Sequence, residues 1–325
     1  MLLNVVLLLI SLTILVWSAD KFVYGAAALA RNFGLSPLII GLTIVAMGSS
    51  APEMMVAAAA ALADKPDTAI GNVIGSNITN ITLVLGATAL LKPMLVGSQT
   101  IRRELPIIML TSIIAVYCIW DLNFTRFEGF SLAVLFIITL SWLAISSIRA
   151  QKQTAEDKFA SDVNEEVPDN VPLPRAIFWL VFGLILLLAS SHYLVESAVF
   201  IAQYFGISDL VIGLTIIAIG TSLPELAASI AGVLKGEDDL ALGNIVGSNI
   251  FNALAVLCIP GIIAPGAIDP AAVNRDGVIM LGVTLLLIIL AVGFDRGVKK
   301  INRIEGGVLF ACFVGYQFLL FNQAG

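Results

Sequence analysis

Apolar runs follow one another from residue 2 to residue 321, separated mostly by short polar breaks. A membrane-spanning helix needs roughly 20 apolar residues. On that measure the pattern predicts ten spans, at 2–30, 36–63, 68–91, 105–120, 125–149, 174–204, 208–235, 239–263, 275–293 and 301–321. One polar interval is long, "RAQKQTAEDKFASDVNEEVPDNVPLPR" (Arg149–Arg175), with five spans before it and five after. The second span is broken from within: "GLTIVAMGSSAPEMM" (Gly41–Met55) sets two serines, a proline and a glutamate in otherwise apolar sequence.

That stretch has an echo. Gly34–Glu53, "GLSPLIIGLTIVAMGSSAPE", and Gly206–Glu225, "GISDLVIGLTIIAIGTSLPE", agree at thirteen of twenty positions. Ile70–Asn80, "IGNVIGSNITN", and Leu242–Asn252, "LGNIVGSNIFN", agree at seven of eleven, and both pairs are offset by 172 residues. Arg103-Glu104 and Arg275-Asp276 keep the same offset. One register held this far means an internal duplication. Five spans per copy is an odd number, so the second copy is expected to cross the membrane upside down. Inverted repeats belong to transporters, with the substrate site near the midplane between the copies. The expected organisation is a first five-helix repeat at 1–148, a cytoplasmic linker at 149–175 and an inverted second repeat at 176–325, in an all-α polytopic membrane protein of ten transmembrane helices.

Loop charge supports this topology, because Lys and Arg collect in cytoplasmic loops. One set of loops carries thirteen of them: Arg31, Lys92, Arg102, Arg103, Arg149, Lys152, Lys158, Arg175, Lys235, Arg296, Lys299, Lys300 and Arg303. The opposite set carries three, Lys65, Arg126 and Arg275. The bias predicts a multi-pass protein with a cytoplasmic linker and both termini outside.

The broken segment has a chemical reading. Pro52 lacks an N–H, so the carbonyl of Gly48 loses its helical donor. Freed backbone oxygen is tolerated at membrane depth only where protein or a water-lined site satisfies it. Ser49, Ser50 and Glu53 add hydroxyl and carboxylate oxygens; Thr221, Ser222 and Glu225 repeat the set. With no Cys or His among them, these are ligands for a hard cation. Asn72, Ser76 and Asn80 share one face of the next helix, as do Asn244, Ser248 and Asn252. The flanking Gly71, Gly75, Gly243 and Gly247 allow close helix approach. Asn72 and Asn244 fit either a site role or plain interhelical hydrogen bonding. A carboxylate at the bilayer centre costs at least ~2.5–3.5 kcal/mol. One Ca²⁺ would neutralise Glu53 and Glu225 together, and protons or Na⁺ could do so on the return.

Composition changes little. Of 325 residues 59% are hydrophobic and 12% charged, at a mean hydropathy of +1.00, which excludes an ordinary soluble domain. No basic run points to nucleic acid. Cys118, Cys258 and Cys312 lie in apolar segments and match no metal or disulfide spacing. Lys21, the one Lys or Arg left out of the loop counts, is the only basic candidate partner within a span, so it can serve at most one of the two glutamates. Asp20 and Glu196 are not repeat equivalents and take no assigned role.

"GSSAPE…GNVIGSNITN" and "GTSLPE…GNIVGSNIFN" closely resemble the two α-repeats of the cation/calcium exchanger superfamily, in its prokaryotic sodium/calcium exchanger branch. The resemblance implies ten helices in a prokaryotic inner membrane and alternating access, with the first two helices of each unit sliding against an eight-helix core. It implies Glu53 and Glu225 as central Ca²⁺ ligands shared with Na⁺, and Ser49, Ser50, Thr221 and Ser222 as hydroxyl or carbonyl ligands. Ser76 and Ser248 would serve flanking sodium sites, Asn80 and Asn252 the middle site. The carbonyls of Ala46 and Ala218 take the role that residue chemistry alone gives to Gly48. Some members carry aspartate where Asn252 stands, so the counter-ion, Na⁺ or H⁺, stays open. A secondary antiporter is expected, with a calcium/proton exchanger without sodium coupling or a passive cation channel as alternatives. Enzymatic activity, a cofactor, a regulatory domain and an obligate protein partner are not expected; the partners are the ions and the lipid bilayer.

Overall fold

The computed structural model describes residues 1–98, 100–157, 171–206, 218–293 and 299–324. Twelve helical segments organise them: α1 Leu2–Asn32, α2 Pro37–Ser49, α3 Ala51–Leu62, α4 Pro66–Leu91, α5 Leu105–Cys118, α6 Arg126–Asp157, α7 Leu173–Tyr204, α8 Ala218–Thr221, α9 Leu223–Leu234, α10 Asp238–Ile263, α11 Ala272–Val292 and α12 Arg303–Ala324. Among the described residues seven are long and apolar enough to span a membrane, or eight with the bent pair α2–α3 counted as one. The chain is thus an all-helical, multi-pass membrane protein. Of the other two expected spans, 105–120 is the short helix α5, and 208–235 falls partly on 207–217, outside the described residues. Helix α6 runs past residue 149 to Asp157, because Arg, Ala, Gln and Lys continue a helix readily once it leaves the apolar zone. Much of the linker lies outside the described residues.

Proline starts many of these helices. Pro37, Pro52, Pro66, Pro174 and Pro224 occupy the first or second helical position, where the missing N–H costs least. Pro52 therefore opens a new helix instead of kinking an old one. The chain turns at Ser50 (φ −81°, ψ 10°) and at the equivalent Ser222 (φ −89°, ψ 6°), and α2 meets α3 at 44°. After α3 and α9 the chain reverses through left-handed residues, Asp64 (φ 57°) and Gly236 (φ 79°). Both reversals close a Schellman pair: Lys65 N–H to Ala60 O (2.9 Å) and Asp64 N–H to Ala61 O (3.1 Å), then Glu237 to Gly232 (2.9 Å) and Gly236 to Val233 (3.1 Å).

Helices α4 and α10 form the centre, 83% and 78% buried over their spans, against 22%, 17%, 28% and 22% for α1, α6, α7 and α12. Glycine sets the closest approach. A Cβ on Gly41 would lie 2.5 Å from Leu240 O, one on Gly243 2.6 Å from Leu38 O, and one on Gly247 2.7 Å from Leu42 O. The broken segment of the first half thus lies directly on the motif helix of the second.

Further out, the halves exchange partners. A Cβ on Gly86 in α4 would sit 2.9 Å from Phe310 N in α12, and one on Gly129 in α6 2.8 Å from Gly261 C in α10. Two short antiparallel ribbons make the same exchange. β1 (Met94–Leu95) pairs with β4 (Lys300–Ile301), and β2 (Asn123–Phe124) pairs with β3 (Gly266–Ala267). Helices α1 and α7 pack on each other beside this body: a Cβ on Gly183 would lie 2.6 Å from Phe22 N, and Leu15, Phe22, Val23, Leu180 and Leu187 form a separate apolar cluster.

Candidate cation site

The breaks after α2 and α8 gather a cluster of buried polar side chains. Glu53 and Glu225 are fully buried, and so are Ser49 and Ser50. Each carboxylate meets a hydroxyl of the opposite half. Ser50 Oγ donates to Glu225 Oε1 at 3.0 Å, and the Ser49 hydroxyl also reaches Glu225. Ser76 Oγ donates to Glu53 Oε1 at 3.5 Å, and the Thr221 hydroxyl also reaches Glu53. The two motif loops are therefore cross-bonded, hydroxyls of one half on the carboxylate of the other.

Much of this oxygen is unpaired. Among the described residues fourteen buried side-chain atoms lack a hydrogen-bond partner, and eight belong to expected site residues. They are Glu53 Oε2, Glu225 Oε2, Ser222 Oγ, Ser248 Oγ and both amide atoms of Asn80 and Asn252. Buried polar groups in native proteins are almost all satisfied, so this concentration marks a place for a ligand. Carboxylate, hydroxyl and amide oxygens suit Ca²⁺ or Na⁺. No group of three or more His, Cys, Asp or Glu placed to hold a metal ion occurs among the described residues, so at this site the negative charge comes from the two glutamates alone. Asn80 and Asn252 each begin a π-helical turn, Asn80–Leu85 and Asn252–Val256. Such turns turn side chains out of the regular helical register and gather at functional sites. Nothing in the sequence pattern signals them.

The Ala46 carbonyl accepts the Ser50 N–H at 3.0 Å and lies 3.4 Å from Ser49 Oγ; Ala218 begins the equivalent short helix α8. Asn72 and Asn244 make the interhelical hydrogen bonds of the plainer reading, and make them to the backbone of the two glutamates. Asn72 Nδ2 donates to Glu53 O at 3.3 Å and Asn244 Nδ2 to Glu225 O at 3.4 Å. Sequence reasoning passed over Ser229, fully buried and 3.0 Å from Asn244 Nδ2. Its repeat equivalent is Ala57, so the repeat offers no signal there.

Lys21 serves neither glutamate. It pairs with Asp20 at 3.2 Å, and Lys235 binds the same carboxylate at 2.7 Å. Its ammonium also lies 5.9 Å and 5.6 Å from the ring centres of Trp17 and Trp179, within cation–π range. Arg31 reaches Glu237 at 2.5 Å. Two ion pairs therefore tie α1 to the turn between α9 and α10. Cys118, Cys258 and Cys312 are unpaired thiols.

The family model for the sodium/calcium exchanger protein matches residues 3–145 and 175–322. The two ranges start 172 residues apart, the offset of the internal repeat. CaxA of Alkalimonas amylolytica, which carries an antiporter's name, is 53% identical over 99% of this chain and 100% of its own. The inner membrane protein YrbG of Escherichia coli K12 is 44% identical over 89% of each chain. Among solved structures, the sodium–calcium exchanger NCX_Mj soaked with Na⁺ and Ca²⁺ superposes with a TM-score of 0.81 at 31% identity, over 96% of each chain. Matches of one family model to both halves, and relatives 53% and 44% identical along nearly the whole chain, lead to one assignment: the chain belongs to the sodium/calcium exchanger family.

Proposed function

We propose that the protein is a secondary antiporter that exchanges Ca²⁺ for Na⁺ across a prokaryotic inner membrane by alternating access. The observation that carries this reading is the cluster of unpaired buried oxygen around two carboxylates. Glu53 and Glu225 are the central ligands, balanced by one Ca²⁺. Ser49, Ser50, Thr221, Ser222 and the carbonyls of Ala46 and Ala218 complete the shell. Ser76 and Ser248 flank it as sodium ligands, and Asn80 and Asn252 hold the middle. The fold is ten transmembrane helices in two inverted five-helix repeats, 1–148 and 176–325, joined by a cytoplasmic linker at 149–175, with both termini outside. The exchange of ribbon partners between halves supports that inversion. Sodium coupling is supported by the relatives' names, the exchanger MaX1 of Methanosarcina acetivorans among them.

Reconstituted vesicles test this. Na⁺ loaded inside is expected to drive radioactive calcium uptake against calcium's own gradient. Calcium movement only down its own gradient would replace the antiporter with a passive channel. Uptake driven by protons but not by sodium would make it a calcium/proton exchanger.

A further inference from the structure

A hydroxyl that ligates a cation must turn its lone pairs to the ion and give its proton to something else. At Ser49 the structure supplies that acceptor. Ser49 Oγ lies 3.0 Å from Asn244 Oδ1. The Asn244 amide is held the right way round by two acceptors on its nitrogen, Ser229 Oγ at 3.0 Å and Glu225 O at 3.4 Å. Flipping it would set its own carbonyl oxygen against that of Glu225, and an amide oxygen cannot donate. All three side chains, Ser49, Ser229 and Asn244, are fully buried, so no bulk water competes for these bonds.

From this geometry we propose that Ser229 and Asn244 form a positioning relay that points the Ser49 oxygen at the ion and favours Ca²⁺ over Na⁺. The inference rests on the exchanger reading of the same site. Without an ion, the Ser49 proton has two further acceptors within reach, Glu225 and the Ala46 carbonyl. Once a cation occupies the Glu225 oxygens, Asn244 Oδ1 is the acceptor at the best distance. The proton then points away from the ion. The relay is one-sided: Asn72 stands where Asn244 does, but Ala57 replaces Ser229. A fixed hydroxyl dipole attracts a divalent ion twice as strongly as a monovalent ion at the same distance. Loosening the relay therefore weakens Ca²⁺ more than Na⁺.

The test uses the purified full-length protein, with calorimetric titration of Ca²⁺ and separately of Na⁺, and ion-free thermal midpoints as a folding control. One buried hydrogen bond sets the scale. Ser229→Ala is expected to raise the Kd for Ca²⁺ by about 3- to 10-fold and that for Na⁺ by less than about twofold. Ser229→Thr, which keeps a hydroxyl, is expected to return toward wild type. Equal weakening of both ions, the mark of a merely looser fold, overturns the relay, and so does unchanged Ca²⁺ binding. If the wild-type protein binds neither ion, the exchanger reading and the relay fall together. If it binds Ca²⁺ and the variant binds it equally well, only the relay falls.

Discussion

Replacing Glu225 by glutamine removes one of two buried negative charges while keeping the side chain's shape. Glu225 is fully buried; its Oε1 accepts the Ser50 hydroxyl at 3.0 Å and its Oε2 has no protein partner. Glutamine preserves one acceptor and puts an NH₂ donor where the ion needs an oxygen. Breaking a buried charge pair by removing one member costs about 3–5 kcal/mol. At 1.4 kcal/mol per tenfold, that lowers Ca²⁺ affinity roughly 150- to 4,000-fold. The Coulomb energy scales with the charge of the ion, so Na⁺ should lose about half as much, a factor of roughly 10 to 60. The assay is sodium-driven calcium uptake into vesicles from micromolar to millimolar calcium, with sodium titrated on the opposite face. Comparable monodispersity in detergent, mutant against wild type, shows that the fold survives. An apparent KM for calcium within tenfold of wild type would refute the paired-carboxylate site. Equal shifts for the two ions would refute the charge argument even if activity were lost.

Other consequences are as direct. Ion binding to the native fold alone stabilises it by RT ln(1 + [L]/Kd), so Ca²⁺ at a hundred times its Kd should add about 2.7 kcal/mol. A chelator should lower the thermal midpoint, and Glu53→Gln should abolish the difference. Gly243→Ala puts a methyl group 2.6 Å from Leu38 O and 3.0 Å from Leu42 N, both backbone atoms that cannot rotate away. Overpacking of this kind costs about 1–3 kcal/mol, read as a lower midpoint with or without ions, while the open-surfaced Gly282→Ala serves as a neutral control. Glu237→Gln breaks the half-exposed pair with Arg31 and should cost less than about 1 kcal/mol in chemical unfolding; a larger loss would mean that the pair carries more than a surface contact.

Much of the site was legible because it is written twice. Glu53 and Glu225, the paired hydroxyls and the Asn/Ser faces stand at one offset, and repetition separates a function from an accidental kink. Of the glycines beside the Asn/Ser face, Gly243 and Gly247 are close-approach positions, whereas Gly71 and Gly75 face open space with nothing within 4 Å of an added Cβ, so the small-residue spacing reads correctly in the second copy and fails in the first. What stayed hidden lacks a periodic signal or depends on distant chain. Ser229 has alanine as its equivalent. The π-helical turns at Asn80 and Asn252 follow from packing, as no residue type demands them. Lys21 was a plausible partner for a glutamate until the fold brought Lys235 to Asp20, 215 positions along the chain. Proline in the motif was read as a lost bond; in place, it is a helix start.

The exchange of partners between halves constrains how the protein is made. Once α4 has followed α2 and α3 into the bilayer, Glu53 has partners from its own half, Asn72 and Ser76. Thr221, which also bonds it, is 168 residues downstream. Ribosomes add about 5–20 residues per second, so the glutamate waits roughly 8–35 s for its counterpart. The ribbon between Met94–Leu95 and Lys300–Ile301 closes later still, and α12 must then slot against Gly86. The contacts between the halves therefore form only after the second half has been made: the first half waits, and α12 closes on it at Gly86 late in synthesis.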